Sequence, residues 1–223
     1  LKEFAEVVHD KTGWTVELPA LTGFGTKPED LFDVELEDWL TDVESAFETL
    51  SKDCKDIFIV GHSAGGLLAL LHAAERGDIQ GTVTWAAPAG IQNRFLPLLP
   101  GISKIPLLRR AVPERYDTDI PDWLREQGWV GYDWIPTRIG IVLYDGIKRL
   151  RKSLGKINCP VLVIQGTEDK AVSKDSAQRI YNGISSENKD TLMLEGAPHP
   201  MMNHSHYKDE LFSKTIAFLS QLI

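Results

Sequence analysis

The ten residues Ile57-Phe58-Ile59-Val60-Gly61-His62-Ser63-Ala64-Gly65-Gly66 constrain this chain more than any other stretch. Four consecutive apolar, mostly β-branched residues read as a fully buried strand. A Gly-x-Ser-x-Gly turn follows, and an apolar run opening at Leu67 predicts a helix. Strand, sharp turn and helix in that order are the context in which the motif presents a serine nucleophile on a strained elbow. Such a turn closes only when the serine's neighbours lack bulk, and Gly61, Ala64, Gly65 and Gly66 are all small. The helix would also aim its N-terminal N–H groups and positive dipole end at the place where an oxyanion forms. The competing structural reading is a tight turn whose serine caps a helix.

The flanking sequence alternates between helix and strand patterns. Leu1, Phe4, Ala5 and Val8 fall at helical spacing, with Gly13 as a stop. Trp14-Thr15-Val16-Glu17-Leu18 predicts a strand ended by Pro19, and Leu21 to Pro28 has the composition of a loop. Its Gly23-Phe24-Gly25 does not make a dinucleotide fingerprint, because Pro28 stands where the third glycine belongs and no helix opens directly. Leu36, Trp39, Leu40, Val43, Ala46, Phe47 and Leu50 define an amphipathic helix. The elbow helix runs to about Arg76, and Thr82 to Ala87 is a further short strand. Beyond residue 156, Pro160 to Ile164 and Thr191 to Leu194 predict strands. Ser173 to Tyr181, with Ser173 as N-cap, and Leu211 to Leu222 predict helices. This alternation implies an α/β protein with a mostly parallel, doubly wound sheet.

Between Ile91 and Lys156 the alternation breaks. This segment holds six of the 12 prolines and, in Trp123, Trp129 and Trp134, three of the six tryptophans. It carries a net charge of +5, leaving −13 on the rest of a chain whose total is −8. Short apolar pieces such as Phe95-Leu96 and Leu107-Leu108 predict several short helices forming an inserted lid. The division expected is a first core part over 1–90, a lid over 91–156 and a second core part over 157–223. Packing of the lid against the body accounts for at least two of the tryptophans. Arg149, Arg151 and Lys152 read as a solvated helix face rather than an anion site.

Composition narrows the class of function. The negative total charge argues against general nucleic-acid binding. No run approaches the roughly 18 apolar residues of a membrane span, so stable membrane insertion is not expected. The first residues, Leu1-Lys2-Glu3-Phe4, have neither the charged start nor the apolar stretch of a secretory signal. Two cysteines, Cys54 and Cys159, point to structural thiols in a reducing, cytoplasmic compartment rather than to a disulfide framework.

In an open parallel sheet, functional groups gather in loops at the carboxyl ends of the strands. Ser63, Asp169 and His199 each occupy such a loop, in the order serine, acid, histidine. A serine hydroxyl needs a base within hydrogen-bond reach, and the base needs an acid to orient it. Asp169 is preferred to its neighbour Glu168, which should point away. Between Ala86 and Pro113 no carboxylate offers an alternative. His199 follows its strand more directly than His204 or His206, which lie nearer the closing helix as surface or capping groups. A His204-x-His206 metal site lacks acidic or cysteine ligands nearby, so no metal is expected. His62 reads as a packing or loop-bonding group.

These residues resemble those of the α/β-hydrolases, and within them the bacterial carboxylesterases and monoacylglycerol lipases. The resemblance spans nearly the whole chain and rests on Leu21 to Leu31, Trp39 to Val43, Gly61 to Gly66, Gly166 to Asp169 and Gly196 to His199. It implies ester hydrolysis through an acyl-enzyme on Ser63 without a cofactor, a lid between the sixth and seventh strands, and the Ala64 backbone N–H as one oxyanion donor. It also implies early strands and a His-Gly loop supplying the second donor, expected upstream of Leu1, because the first residues already fit the helix that follows that loop. Gly23-Phe24-Gly25 departs from the Gly-His-Gly common in such enzymes. The expected substrate is a small ester, with short to medium acyl chains or a monoacylglycerol. Two alternatives are the same triad acting on an amide, thioester or carbon–carbon bond, and a non-catalytic binding scaffold.

Overall fold

The computed structural model describes residues 1–90 and 131–223, together with 98, 101, 105, 114–117 and 122–126. Its centre is a four-stranded, wholly parallel sheet in the order β1 (Phe58–His62), β2 (Gly81–Trp85), β5 (Val161–Gly166) and β6 (Lys189–Leu194). Parallel neighbours require crossover connections. These are supplied by α3 (Ala64–Glu75) between β1 and β2, and by α6 (Ser176–Gly183) between β5 and β6. A second pair, β3 (Tyr116–Asp117) and β4 (Trp134–Ile135), is antiparallel and separate.

Successive side chains of a strand face opposite sides of a sheet, and both sides are filled. Val161 and Val163 of β5 join one core, with Trp39 and Phe47 of α2 (Leu36–Leu50), Leu67 and Leu71 of α3, and Ile180 of α6. Leu162 and Ile164 of the same strand join the other core, with Val83 and Trp85 of β2, Phe4 and Val8 of α1 (Lys2–Thr12), and Leu211 and Phe212 of α7 (Ser205–Ser220). The doubly wound architecture is therefore present. Helix α3 is buried continuously from Gly66 to Ala73, as expected of a helix that is apolar all round. No helix among the described residues is long and apolar enough to cross a membrane.

Several sequence expectations change. Trp14 to Leu18 is not a strand. Its β-like composition finds no ladder partner among the described residues. It instead lines an apolar cavity of about 240 Å³ together with Ile57, Phe58 and Val60. For the same reason β1 stands at the edge of the sheet among the described residues, with Phe58, Ile59 and Val60 only partly buried rather than fully so. Helix α6 begins at Ser176, so Ser173 is not its N-cap. The closing helix begins at Ser205, about 1.7 turns before the apolar periodicity starts at Leu211.

Within the proline-rich segment, α4 (Asp122–Glu126) is short, but Thr137–Ser153 forms a single long helix, α5. Its Ile139, Val142, Ile147 and Leu150 are buried in the same core as α3. Gly146 lets it close in, since a Cβ there would stand 2.9 Å from Leu67. Arg149 is not simply solvated, for it pairs with Glu37 of α2 and Glu75 of α3, while Arg138 pairs with Glu35. The Arg151 side chain donates to the Ala89 carbonyl at 2.6 Å. Trp134 packs against Phe32 of the body at 6.1 Å between ring centroids. The expected short helices around Phe95-Leu96 and Leu107-Leu108, Trp129 and the Trp123 side chain lie outside the described residues.

Candidate active site

Ser63 sits between β1 and α3 at φ 53° and ψ −118°. A side chain in that region costs about 1–3 kcal/mol and persists only where its surroundings hold it. Two things hold it here. The Ser63 N–H donates to the Trp85 carbonyl at 2.8 Å, and the Ser63 carbonyl accepts from Leu67 N–H at 3.0 Å as the first turn of α3. The turn also needs Gly61, because a Cβ there would lie 2.2 Å from the Gly65 carbonyl oxygen. Ala64 is the first residue of α3, so its N–H belongs to the group that has no intrahelical acceptor.

Asp169 and His199 come from the loops after β5 and β6. Asp169 is buried, at 1 % exposure, whereas Glu168 is exposed. Asp169 Oδ1 accepts the N–H groups of Ala171 and Val172 at 2.8 and 2.9 Å. Its Oδ2 faces His199 Nδ1 at 2.8 Å, and His199 Nε2 faces Ser63 Oγ at 3.0 Å. The structure thus brings Ser63, His199 and Asp169 into one continuous hydrogen-bonded line. Burial by itself would raise the Asp169 carboxyl. The bond from His199, its charge, and the two backbone donors outweigh burial and hold that carboxyl below its ordinary range. A carboxylate accepting from Nδ1 leaves Nε2 unprotonated, ready to accept from the serine hydroxyl.

The other histidines are placed elsewhere. His204 and His206 both pack on the Tyr207 ring, at 5.1 and 4.8 Å between centroids, and His206 is exposed. His62 bonds to a loop, as its neighbourhood in sequence suggested. Its Nε2 lies 3.0 Å from the His199 carbonyl oxygen, and the two rings are 4.8 Å apart.

Two further features near the site were not singled out in the sequence. Gln165, buried at 1 % exposure in β5, donates to the Ser173 carbonyl at 3.0 Å and accepts from Ala177 N–H at 2.9 Å. It thereby ties the end of the connection after Asp169 and the first turn of α6 to β5. Ala86, directly after β2, adopts φ 51° while its N–H donates to Ile164. Only a buried polar residue within an apolar strand run hinted at the first, and nothing at the second.

The chain has clear relatives among known proteins. Residues 4–206 match the family model Hydrolase_4, described as serine aminopeptidase, S33. The chain is 32 % identical over 189 residues to a thermostable monoacylglycerol lipase of Bacillus sp. (strain H-257), covering 85 % of this chain and 73 % of that protein. It is 25 % identical over 214 residues to a carboxylesterase of Bacillus subtilis (strain 168), covering 96 % and 84 %. Among solved structures, one from work on LipS and LipT, two metagenome-derived lipolytic enzymes, superposes with a TM-score of 0.88 at 26 % identity, over 99 % of this chain and 87 % of the other. The monoacylglycerol lipase of Paleococcus ferrophilus shares the fold, with a TM-score of 0.71 at 19 % identity over 85 % and 77 %.

Proposed function

The chain belongs to the Hydrolase_4 family of serine hydrolases, and from that membership we propose that it cleaves carboxylic esters through an acyl-enzyme on Ser63. Esters of short to medium acyl chains, or monoacylglycerols, are the substrates proposed, in line with the lipase and carboxylesterase named among its relatives. The observation that carries the reading is the line of hydrogen bonds from Ser63 through His199 to Asp169, at 3.0 and 2.8 Å.

In the proposed sequence His199 Nε2 takes the proton of Ser63 Oγ as that oxygen attacks the ester carbonyl. Asp169 stabilises the imidazolium so formed. The carbonyl oxygen becomes an oxyanion beside the Ala64 N–H at the positive end of α3. Collapse of the tetrahedral intermediate breaks the ester C–O bond, and His199 returns the proton to the departing alcohol. Water then repeats the sequence on the acyl-enzyme, releasing the acid and restoring Ser63. The proposed lid, residues 91–156, lies between the two core parts 1–90 and 157–223, with α5 as its anchor on α3.

A series of p-nitrophenyl esters of increasing acyl length, assayed on wild type and Ser63→Ala, tests the proposal. Turnover by wild type and its loss by at least about 10³-fold in the variant are expected. Turnover that survives Ser63→Ala would place the chemistry elsewhere. The family description also names an aminopeptidase. Hydrolysis of aminoacyl p-nitroanilides in preference to the esters would move the assignment to amide bonds while keeping the same three residues.

A further inference from the structure

We propose that His62 is a positioning residue for the base, holding the main chain of His199 through a hydrogen bond from its Nε2–H to the His199 carbonyl. The inference rests on the proposed role of His199 as general base. The acid–base line fixes only the far end of that residue. Asp169 grips Nδ1 and Ser63 meets Nε2, but both bonds are made by the ring, and neither restrains the backbone from which the ring hangs. The loop carrying His199 is held upstream by Gly196 N–H on Thr167 Oγ1 at 2.8 Å and by Glu168 N–H on the Ala197 carbonyl at 3.1 Å. At His199 itself the tie comes from β1, where His62 reaches its carbonyl at 3.0 Å.

The chemistry of that bond fixes the state of His62. A carbonyl oxygen only accepts, so Nε2 must carry the proton. The ring is therefore a donor at Nε2, and it is neutral, with Nδ1 unprotonated, because its surroundings disfavour the charged form. Desolvation first, and then the neighbouring His199 ring, keep it so by lowering its pKa to about 3. A neutral His62 does not repel His199 when that ring takes the serine proton. It also does not compete for the proton, even though the rings stand 4.8 Å apart. Because His62 immediately precedes Ser63, one strand end places the nucleophile and the tether of its base together.

Ester kinetics on wild type, His62→Phe and His62→Gln test this. Phenylalanine keeps a ring of similar size without the donor, and the glutamine amide restores a donor near Nε2. The expected result is a kcat about 10–100-fold lower in His62→Phe with KM within about twofold, because loosening a base by a fraction of an ångström weakens the transition state more than substrate binding. His62→Gln should recover most of that loss. Wild-type kcat in a folded His62→Phe, or a glutamine variant no better than phenylalanine, would overturn the assignment. Wild-type protein that turns over no ester would instead overturn the functional reading beneath it. On wild type alone, long-range ¹H–¹⁵N correlations of the histidine rings should show His62 as the neutral Nε2–H tautomer from about pH 5 to about pH 9. An Nδ1–H tautomer, which leaves Nε2 without a proton to donate, would refute the tether even if neither variant folds.

Discussion

The carbonyl oxygen of Ala197 stands 2.1 Å from where a Cβ on Gly166 would be, so the two loops that deliver Asp169 and His199 touch backbone to backbone. That approach needs a residue without a side chain at the end of β5. It explains how an acid and a histidine 30 residues apart reach 2.8 Å of one another.

Gly166→Ala should therefore damage the site beyond its cost to the fold. The added methyl displaces the 194–200 loop, and a shift approaching 1 Å costs on the order of 10²-fold in rate. Circular dichroism and kcat measured together check this. A folded variant with wild-type turnover would show that the loops have slack the structure does not suggest.

Asp169→Asn keeps an oxygen for the Ala171 and Val172 N–H groups but replaces a charged acceptor at His199 Nδ1 with a weaker, neutral contact. The imidazole is then free to take the wrong tautomer. A fall in kcat on the order of 10³–10⁴-fold is expected, with KM little changed. Steady-state kinetics on the ester series provide the measurement.

Trp85 lies fully buried under the sheet, and its indole N–H donates to Thr215 Oγ1 at 3.0 Å. The same hydroxyl donates to the Leu211 carbonyl at 2.8 Å within α7. Thr215→Val conserves shape and leaves the indole without an acceptor. A loss of about 1–3 kcal/mol in denaturant unfolding, at unchanged m-value, is the expected outcome.

Acid should destabilise the fold through its histidines. Desolvation lowers His62 and His72, and the Asp169 carboxyl is held down as well. The two histidines are neutral when folded but protonate in the unfolded chain below about 6.5. Their contribution is thus complete above that pH and lost as pH falls from about 6.5 toward their lowered folded values. Asp169 adds a further loss as pH falls below about 4. The net charge of −8 works the other way, since its self-repulsion relaxes in acid. Comparing wild type with His62→Gln isolates the histidine effect. Between about pH 7.5 and about pH 4.5, the variant should lose less in melting temperature than wild type.

What the chain revealed by itself was local and periodic. The run Ile57 to Val60, the small residues around Ser63 and the apolar stripe of α2 each express a preference over one or two turns or a few alternating residues. Those patterns were enough for the alternation of strand and helix, and so for the ends of strands at which Ser63, Asp169 and His199 lie. Partnership was decided only in three dimensions. Trp14 to Leu18 has strand-like composition, but a ladder requires a neighbour, and here the segment faces an apolar cavity. Helix α5, punctuated by glycine and basic residues, becomes core because α2 and α3 offer it a face and matching acids. His62 bonds a carbonyl 137 residues away, and Gln165 bridges a loop it does not belong to. Hydrogen bonds and burial depend on which surfaces meet, and no window of sequence contains both sides of such a meeting.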